Sequence, residues 1–334
     1  MKKILLLHTG GTIASVQGAW GLEPKLPAYE LVRHVTQREN LYTVSCKTLF
    51  SLDSSNIQPE EWKTIAGEVF EGLACYDGIV VAHGTDTMAY TASMLSFMIR
   101  HPGKPIIFTG SQLPVSEVDS DAPQNISDAL IASLYSPGGI FIVFGGKIIR
   151  GCRAVKVRTS GFDMFESINA PYLGYIKGGK VFPYGHETKP STDPGTYPAT
   201  MDAGIDTRVF LLKLIPGTNP EVFGSLLQMG YRGVVVEGFG LGGAHYLRRD
   251  LVREMRRLVD AGIAVVVTSQ CLYKVSDLSV YEVGGRLLGE GIIPGRDMTS
   301  EAAVTKLMWI LGHTADYNSI KQMFLTDFCG EIMM

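Results

Sequence analysis

The stretch "ILLLHTGGTIAS", residues 4–15, decides how the first half of this chain folds. Ile4 to Leu7 form a short unbroken apolar run that is closed almost at once by Gly10-Gly11. Such a run reads as a strand buried on both faces and ended by a sharp turn. The turn carries two hydroxyls, Thr9 and Thr12, beside its adjacent glycines. A dinucleotide-binding turn needs G-x-G-x-x-G, and a phosphate loop needs a lysine within reach of the outer phosphates; neither pattern occurs here. The loop is therefore either a plain tight turn or one that presents a threonine for reaction.

The same alternation continues outward from this stretch. Strand-like runs lie at 43–49, 78–82, 105–108 and 140–144, with amphipathic helical patterns at 59–74, 87–100 and 122–135. Apolar strands alternating with helices predict a mostly parallel sheet sandwiched between helices. From about Lys180 to Asp206 the pattern dissolves into Pro, Gly and Thr, which reads as a linker. After it come a strand at 209–214, a helix at 220–229, a strand at 233–236, a helix at 247–261, a strand at 264–268 and a final helix at 301–311. The expected architecture is two α/β domains: a larger N-terminal one over 1–185, a linker over 186–206, and a smaller C-terminal one over 207–334.

Composition narrows the function. With 334 residues, 46% hydrophobic and 19% charged, the chain fits an ordinary folded protein able to bury two cores. A net charge of −3 and the lack of any long basic run argue against a nucleic-acid partner. The arginines at 248, 249, 253, 256 and 257 alternate with apolar residues at helical spacing and read as the wet face of a helix. No apolar stretch is long enough to span a bilayer, and Thr9-Gly10-Gly11-Thr12 ends the first one too early for a secretory signal. Five scattered cysteines without CxxC spacing read as reduced thiols, mostly core, which points to the cytoplasm.

Open parallel sheets bind ligands beyond the carboxyl ends of their strands. Polar loops of similar chemistry follow the strands there: "HTGGTIAS" at 8–15, "LDSSNIQ" at 52–58, "HGTDTMAY" at 83–90 and "TGSQLP" at 109–114. Taken singly, each has an ordinary explanation. Asp86 or Thr87 suits a helix N-cap, His83 a satisfied core histidine, and Lys156 a surface lysine. No second His or Cys sits at metal-ligand spacing, so no metal is expected. Taken together they suggest more. A threonine hydroxyl becomes a nucleophile only when a base draws off its proton, and a second threonine, an aspartate and a lysine can form such a relay without any cofactor.

"TGGTI" at 9–13, "HGTDTMAYTAS" at 83–93, "TGSQLP" and Lys156 ahead of "GFD" resemble the bacterial L-asparaginase family, and "LDSSN" fits its cytoplasmic type I branch. The resemblance implies that Thr12 attacks the side-chain amide of L-asparagine and forms an aspartyl ester. It implies that Thr85, Lys156 and Asp86 form a relay, and that Asp86 also holds the substrate ammonium. Ser54, with Asp53 and Ser55 beside it, would hold the α-carboxylate, and backbone N–H groups of the Thr85 loop would face the oxyanion. It further implies a homodimer or homotetramer. Two departures stand out: Leu22 occupies the place of a loop tyrosine, and Gly243 that of an asparagine offered to a neighbouring subunit. Cys271 marks a possible regulatory asparagine site, but Glu237 stands where a regulated relative has an arginine, so that control is expected to be absent or altered. Two other readings remain: the amidase subunit of a tRNA-dependent amidotransferase, for whose usual N-terminal extension the early first strand leaves no room, and a non-catalytic asparagine sensor.

Overall fold

The computed structural model describes residues 1–35, 41–184 and 197–333. These fall into two compact units, Met1–Ala203 and Gly204–Met334. Of the linker expected at 186–206, residues 186–196 lie outside the described residues. Thr200–Met201, within that range, forms a short antiparallel pairing with Ile99–Arg100 in the first unit.

The first unit contains β1 (Lys2–Gly10), β2 (Ser15–Gln17), β3 (Leu22–Pro24), β4 (Tyr42–Leu52), β5 (Gly78–Ala82), β6 (Ile99–Arg100) and β7 (Pro105–Thr109). It continues with β8 (Gly139–Phe144), β9 (Lys147–Arg150), β10 (Ala154–Lys156), β11 (Phe165–Ser167), β12 (Gly174–Lys177), β13 (Lys180–Pro183) and β14 (Thr200–Met201). Its helices are α1 (Ala28–Arg33), α2 (Pro59–Cys75), α3 (Met88–Met98) and α4 (Ala122–Tyr135). The main sheet has eight strands in the order β13-β12-β9-β8-β7-β5-β1-β4.

From β8 to β4 all pairings are parallel, as the buried apolar runs required. The three strands at the other edge are antiparallel, and the sequence reading missed them. Their signal was present: Gly145-Gly146 and Gly178-Gly179 each join two strands directly, and all four have positive φ, the two-residue hairpin turn that matches sheet twist. Lys180, taken as the start of a linker, therefore opens a sheet strand.

Counting only the parallel strands in chain order, the arrangement is 2-1-3-4-5, whose switch point lies between β1 and β5. The chain leaves β1 toward one edge and later departs from β5 toward the other. The loops after these two strands therefore flank the switch point, where such sheets bind their ligands. α1 and α4 pack together on the face lined by Ile4, Leu6 and Val80. α2 and α3 pack together on the other, where Gly72 meets Leu5 and Ile79. α1 and α4 carry the chain in opposite directions along the same face, so the β7–α4–β8 crossover has the opposite hand to β1–α1–β4. Right-handed crossovers are the rule, which makes this one an exception within the sheet.

The second unit is a smaller parallel sheet of four strands, β15 (Val209–Lys213), β16 (Gly233–Gly238), β17 (Ala264–Ser269) and β18 (Ile293–Pro294), in chain order. It carries α5 (Glu221–Gln228), α6 (Leu251–Asp260), α7 (Glu282–Gly289), α8 (Ser300–Leu311) and α9 (Tyr317–Leu325). α6 begins at Leu251 rather than 247 because the Asp250 carboxylate caps it by accepting from Arg253 N–H. Its arginines face outward, paired with Glu254, Asp260 and Glu290, while Leu251, Met255 and Leu258 are buried. Two readings need correction. Glu301–Leu311 is not the last helix, since α9 follows it; only Ile320 and Phe324 of α9 are buried, too few to show a period. The thiols are free but not mostly core, for Cys152 alone is fully buried.

α9 and the tail close over α8 through a fully buried ion pair, Lys306 with Glu331, at 2.6 Å. Lys306 Nζ also donates to the Thr326 carbonyl and lies over the rings of Phe324 and Phe328. Glu331 in turn accepts from Phe328 and Cys329 N–H. Removing one partner strands a buried charge, which costs about 3–5 kcal/mol. Glu331→Gln should therefore lower the unfolding free energy of the second unit by that order in denaturant melts followed by Trp309 fluorescence. A surface change such as Arg286→Gln should not.

Candidate active site

Four loops at the carboxyl ends of β1, β4, β5 and β7 build one site, all within the first unit. The loops after β1 and β5 touch through glycine. Gly11 has φ of 80°, and a Cβ built on it would overlap the Gly84 backbone. A Cβ on Gly84 would come within 2.6 Å of Ser54 Cβ. Only bare backbones allow this approach, and it sets Thr12 and Thr85, the next residue in each loop, on neighbouring turns.

The two threonines of the first loop are now distinguished. Thr9 is buried and its hydroxyl donates to the Ala82 carbonyl at 3.2 Å, tying the end of β1 to the end of β5. Thr12 opens a 3-10 turn over Thr12–Ala14 and stays half-buried, and no hydrogen bond holds its hydroxyl among the described residues.

Beside it lies a bonded cluster. Lys156 Nζ donates to Thr85 Oγ1 at 2.9 Å and to Asp86 Oδ1 at 2.5 Å. Thr85 is buried and the Lys156 side chain largely so, whereas the Asp86 side chain is 61% exposed and faces solvent with its carboxylate. Lys156 is brought there by β10, which pairs with β11 and packs on α3, the helix that begins just after Thr85. A lysine that looked like surface is thus recruited by tertiary packing.

The β4 loop joins the same cluster. Ser54 is buried, and its hydroxyl oxygen accepts from Asp86 N–H at 3.2 Å, leaving its own proton to donate. Asp53 binds Ser55 through both the backbone N–H (2.8 Å) and the hydroxyl (2.6 Å), and this rigid exposed turn surrounds Ser54. Helix capping does not explain the β5 loop. Thr87 is at the N-cap of α3 but makes no cap bond, because its hydroxyl donates to the Ser54 carbonyl at 2.7 Å. Thr87 is a positioning residue that sequence reasoning left as a cap.

The fourth loop is braced from α4. Asp121 accepts from the N–H groups of Gln112 and Leu113, and Asn125 donates to the Gly110 carbonyl at 2.9 Å. These braces escaped the sequence reading because they lie seven and eleven residues beyond the motif. Leu22 is half-exposed on the β2–β3 hairpin, opposite Gln17 and away from any bond to the cluster. Cys271 and Glu237 belong to the second unit. There the Glu237 carboxylate accepts from the Ser300 hydroxyl at 2.5 Å and lies 3.7 Å from Lys213 Nζ, and Cys271 N–H donates to Ser269 Oγ.

Comparison with known proteins bears on the family and the fold. The model of the "Asparaginase, N-terminal" family matches residues 3–189, and that of the "Glutaminase/Asparaginase C-terminal domain" matches 208–324. The chain is 42% identical to an L-asparaginase of Thermococcus kodakarensis over 99% of both chains. The solved thermostable L-asparaginase from that organism superposes with a TM-score of 0.93 at 41% identity, again over 99% of both. L-asparaginase I from Vibrio cholerae superposes at 0.88 with 29% identity, over 100% of this chain and 99% of that one. A glutamyl-tRNA(Gln) amidotransferase polypeptide of Pyrococcus horikoshii is 37% identical over 98% of this chain and 76% of its own length.

Two buried histidines under the loops make the site sensitive to acid. Burial is the main cause that lowers His8 and His83 to about 4, and the nearby His83 ring lowers His8 further. Their folded values lie below the unfolded one, so between about pH 6.5 and 4 the unfolded chain binds more protons and stability falls as the pH drops. Each histidine contributes a slope of up to about 1.4 kcal/mol per pH unit in that window. Asp128, raised to about 6 by burial, opposes it with half that combined slope. Urea midpoints should therefore fall from pH 7 to pH 5, and His83→Asn should flatten the dependence.

Proposed function

The chain belongs to the asparaginase family, and from that premise we propose that it is an amidohydrolase converting L-asparagine to L-aspartate and ammonia through Thr12. The observation that carries the reading is the contact of Lys156 with Thr85 and Asp86 beside the unengaged Thr12 hydroxyl. The substrate is a zwitterion with an amide. Asp86, whose second oxygen is free to face solvent, suits its ammonium; the Ser54 proton, with the fixed Asp53–Ser55 turn around it, suits its carboxylate. Fixing both ends places the side-chain amide against Thr12.

In the first step Thr12 Oγ1 bonds to the amide carbon while its proton passes by way of Thr85 to Lys156, which takes part as the neutral amine. Backbone N–H groups of the Thr85 loop stabilise the negative charge that builds on the amide oxygen. The C–N bond then breaks, the leaving nitrogen takes the proton, and ammonia departs. Water attacks the Thr12 ester, its proton following the same relay, and aspartate and the free hydroxyl are restored. Nothing in this sequence of steps calls for a cofactor.

The same reading places the enzyme in the cytoplasm, supported by its free cysteines. It includes a homodimer or homotetramer, drawn from the family resemblance. The amidotransferase reading has support in the 37% identity to the Pyrococcus horikoshii polypeptide. The asparaginase match is stronger and spans 99% of the relative rather than 76%.

Purified protein should release ammonia from L-asparagine. Thr12→Ala, Thr85→Ala and Lys156→Met should each lower kcat by several orders of magnitude, because members of one relay fail together. Near-normal ammonia release by any of the three removes that residue from the mechanism. Tight asparagine binding without ammonia release by the wild type indicates a sensor. Since Glu237 is engaged by Ser300 and repels a carboxylate, velocity against asparagine should be hyperbolic in wild type and in Cys271→Ala; a sigmoidal wild-type curve made hyperbolic by the substitution contradicts this.

A further inference from the structure

Thr85 owes its place to a buried chain of donors that the proposed reaction does not use. His83 is fully buried, its Nδ1 lies 2.7 Å from the Gly84 carbonyl oxygen, and its Nε2 lies 3.1 Å from Thr91 Oγ1. Trp62 Nε1–H, from α2, donates to that same hydroxyl at 3.1 Å. A carbonyl is only an acceptor, so the 2.7 Å contact requires the proton on Nδ1. On a neutral ring Nε2 is then an acceptor and takes the Thr91 proton, while the Thr91 oxygen keeps a lone pair for Trp62. Burial lowers His83 to about 4, which keeps the ring neutral at physiological pH. The Thr91 hydroxyl also lies 3.2 Å from the Thr87 carbonyl, a second acceptor for its one proton, so it is the short Gly84 contact that selects the tautomer.

The consequence lies on the far side of the Gly84–Thr85 peptide. In a trans peptide the carbonyl and the next N–H point in opposite directions. With the Gly84 carbonyl held down by the buried ring, the Thr85 N–H points away from it, and no backbone acceptor among the described residues takes it up. We propose that His83, held as the Nδ1–H tautomer by the Gly84 carbonyl and seated against Thr91 and Trp62, is a positioning residue that fixes the Gly84–Thr85 peptide plane and so aims the Thr85 N–H at the oxygen that becomes negative during amide attack. The proposal rests on the amidohydrolase reading above. His83 touches neither substrate nor reacting atoms; it acts through the peptide.

The test compares His83→Leu, which removes the donor, with His83→Asn, whose amide nitrogen takes the place of Nδ1. Both are assayed for ammonia release at a temperature where circular dichroism shows them folded. Misaligning one oxyanion donor should cost kcat roughly ten- to a hundredfold in His83→Leu, with KM changed less than severalfold, and His83→Asn should recover most of it. Equal losses in the two variants, or a loss carried by KM, give His83 a packing role and overturn the proposal. Should His83→Leu not fold, Thr91→Val takes its place: a severalfold fall in kcat at constant KM is expected, and wild-type kcat overturns it. Independently, 15N NMR of the wild-type imidazole should show the Nδ1–H tautomer from pH 5 to 8, and Nε2–H refutes it whatever the enzyme does. A wild type that folds, shows Nδ1–H and releases no ammonia instead refutes the amidohydrolase reading.

Discussion

The site exists because two backbones touch. Where β1 and β5 end, Gly11 and Gly84 lie closer than any side chain permits, with Ser54 pressed against the second of them. The strand order explains why the contact falls there. β1 and β5 are neighbours from which the chain departs in opposite directions, so their loops meet with no helix between them. Thr12, Thr85 and Ser54 come from segments some thirty to seventy residues apart and share one neighbourhood through that contact.

Holding it in place takes polar groups that water would otherwise solvate. Thr9 ties β1 to β5, Thr87 ties the β5 loop to Ser54, and His83, Thr91 and Trp62 form a buried line beneath Gly84. Asp121 and Asn125 brace the fourth loop from α4, the helix of the odd-handed crossover. Each bond is worth little by itself, but a buried donor or acceptor left unpaired costs more than the bond gains. The network therefore rigidifies the loops as a unit. Asp86 departs from the pattern: its carboxylate is exposed and, among the described residues, meets only Lys156 Nζ, as suits a group meant to meet a ligand.

Much of this was legible in the residues, and the gaps have physical causes. Buried parallel strands show as apolar runs, so β1, β5, β7 and β8 were placed closely. The antiparallel edge was missed because its strands are short and partly exposed, although the Gly-Gly turns announced it. Thr87 looked like a cap because an N-cap threonine and a loop-bridging threonine share one local sequence; only Ser54, more than thirty residues away, separates them. Lys156 was placed in the site by resemblance, since a lysine at the end of a short strand has no sequence mark of burial. Trp62 had no signal, for it sits in the apolar stripe of an ordinary amphipathic helix, and Asn125, though buried on α4, reads as a common polar residue near a helix start.

By itself the sequence determined the fold class, the order along the chain of most of its parallel strands and longer helices, and the four loops that carry hydroxyls, an amide and carboxylates. Those properties are local, set by hydrophobic period and turn chemistry within about a dozen residues. Only the tertiary structure decided which threonine of the first loop is tied down and which is free, that Lys156 meets Thr85 and Asp86, and that a buried histidine sets the peptide between Gly84 and Thr85. Those are contacts between distant segments. Their geometry follows from sheet order and close packing, which no local pattern encodes.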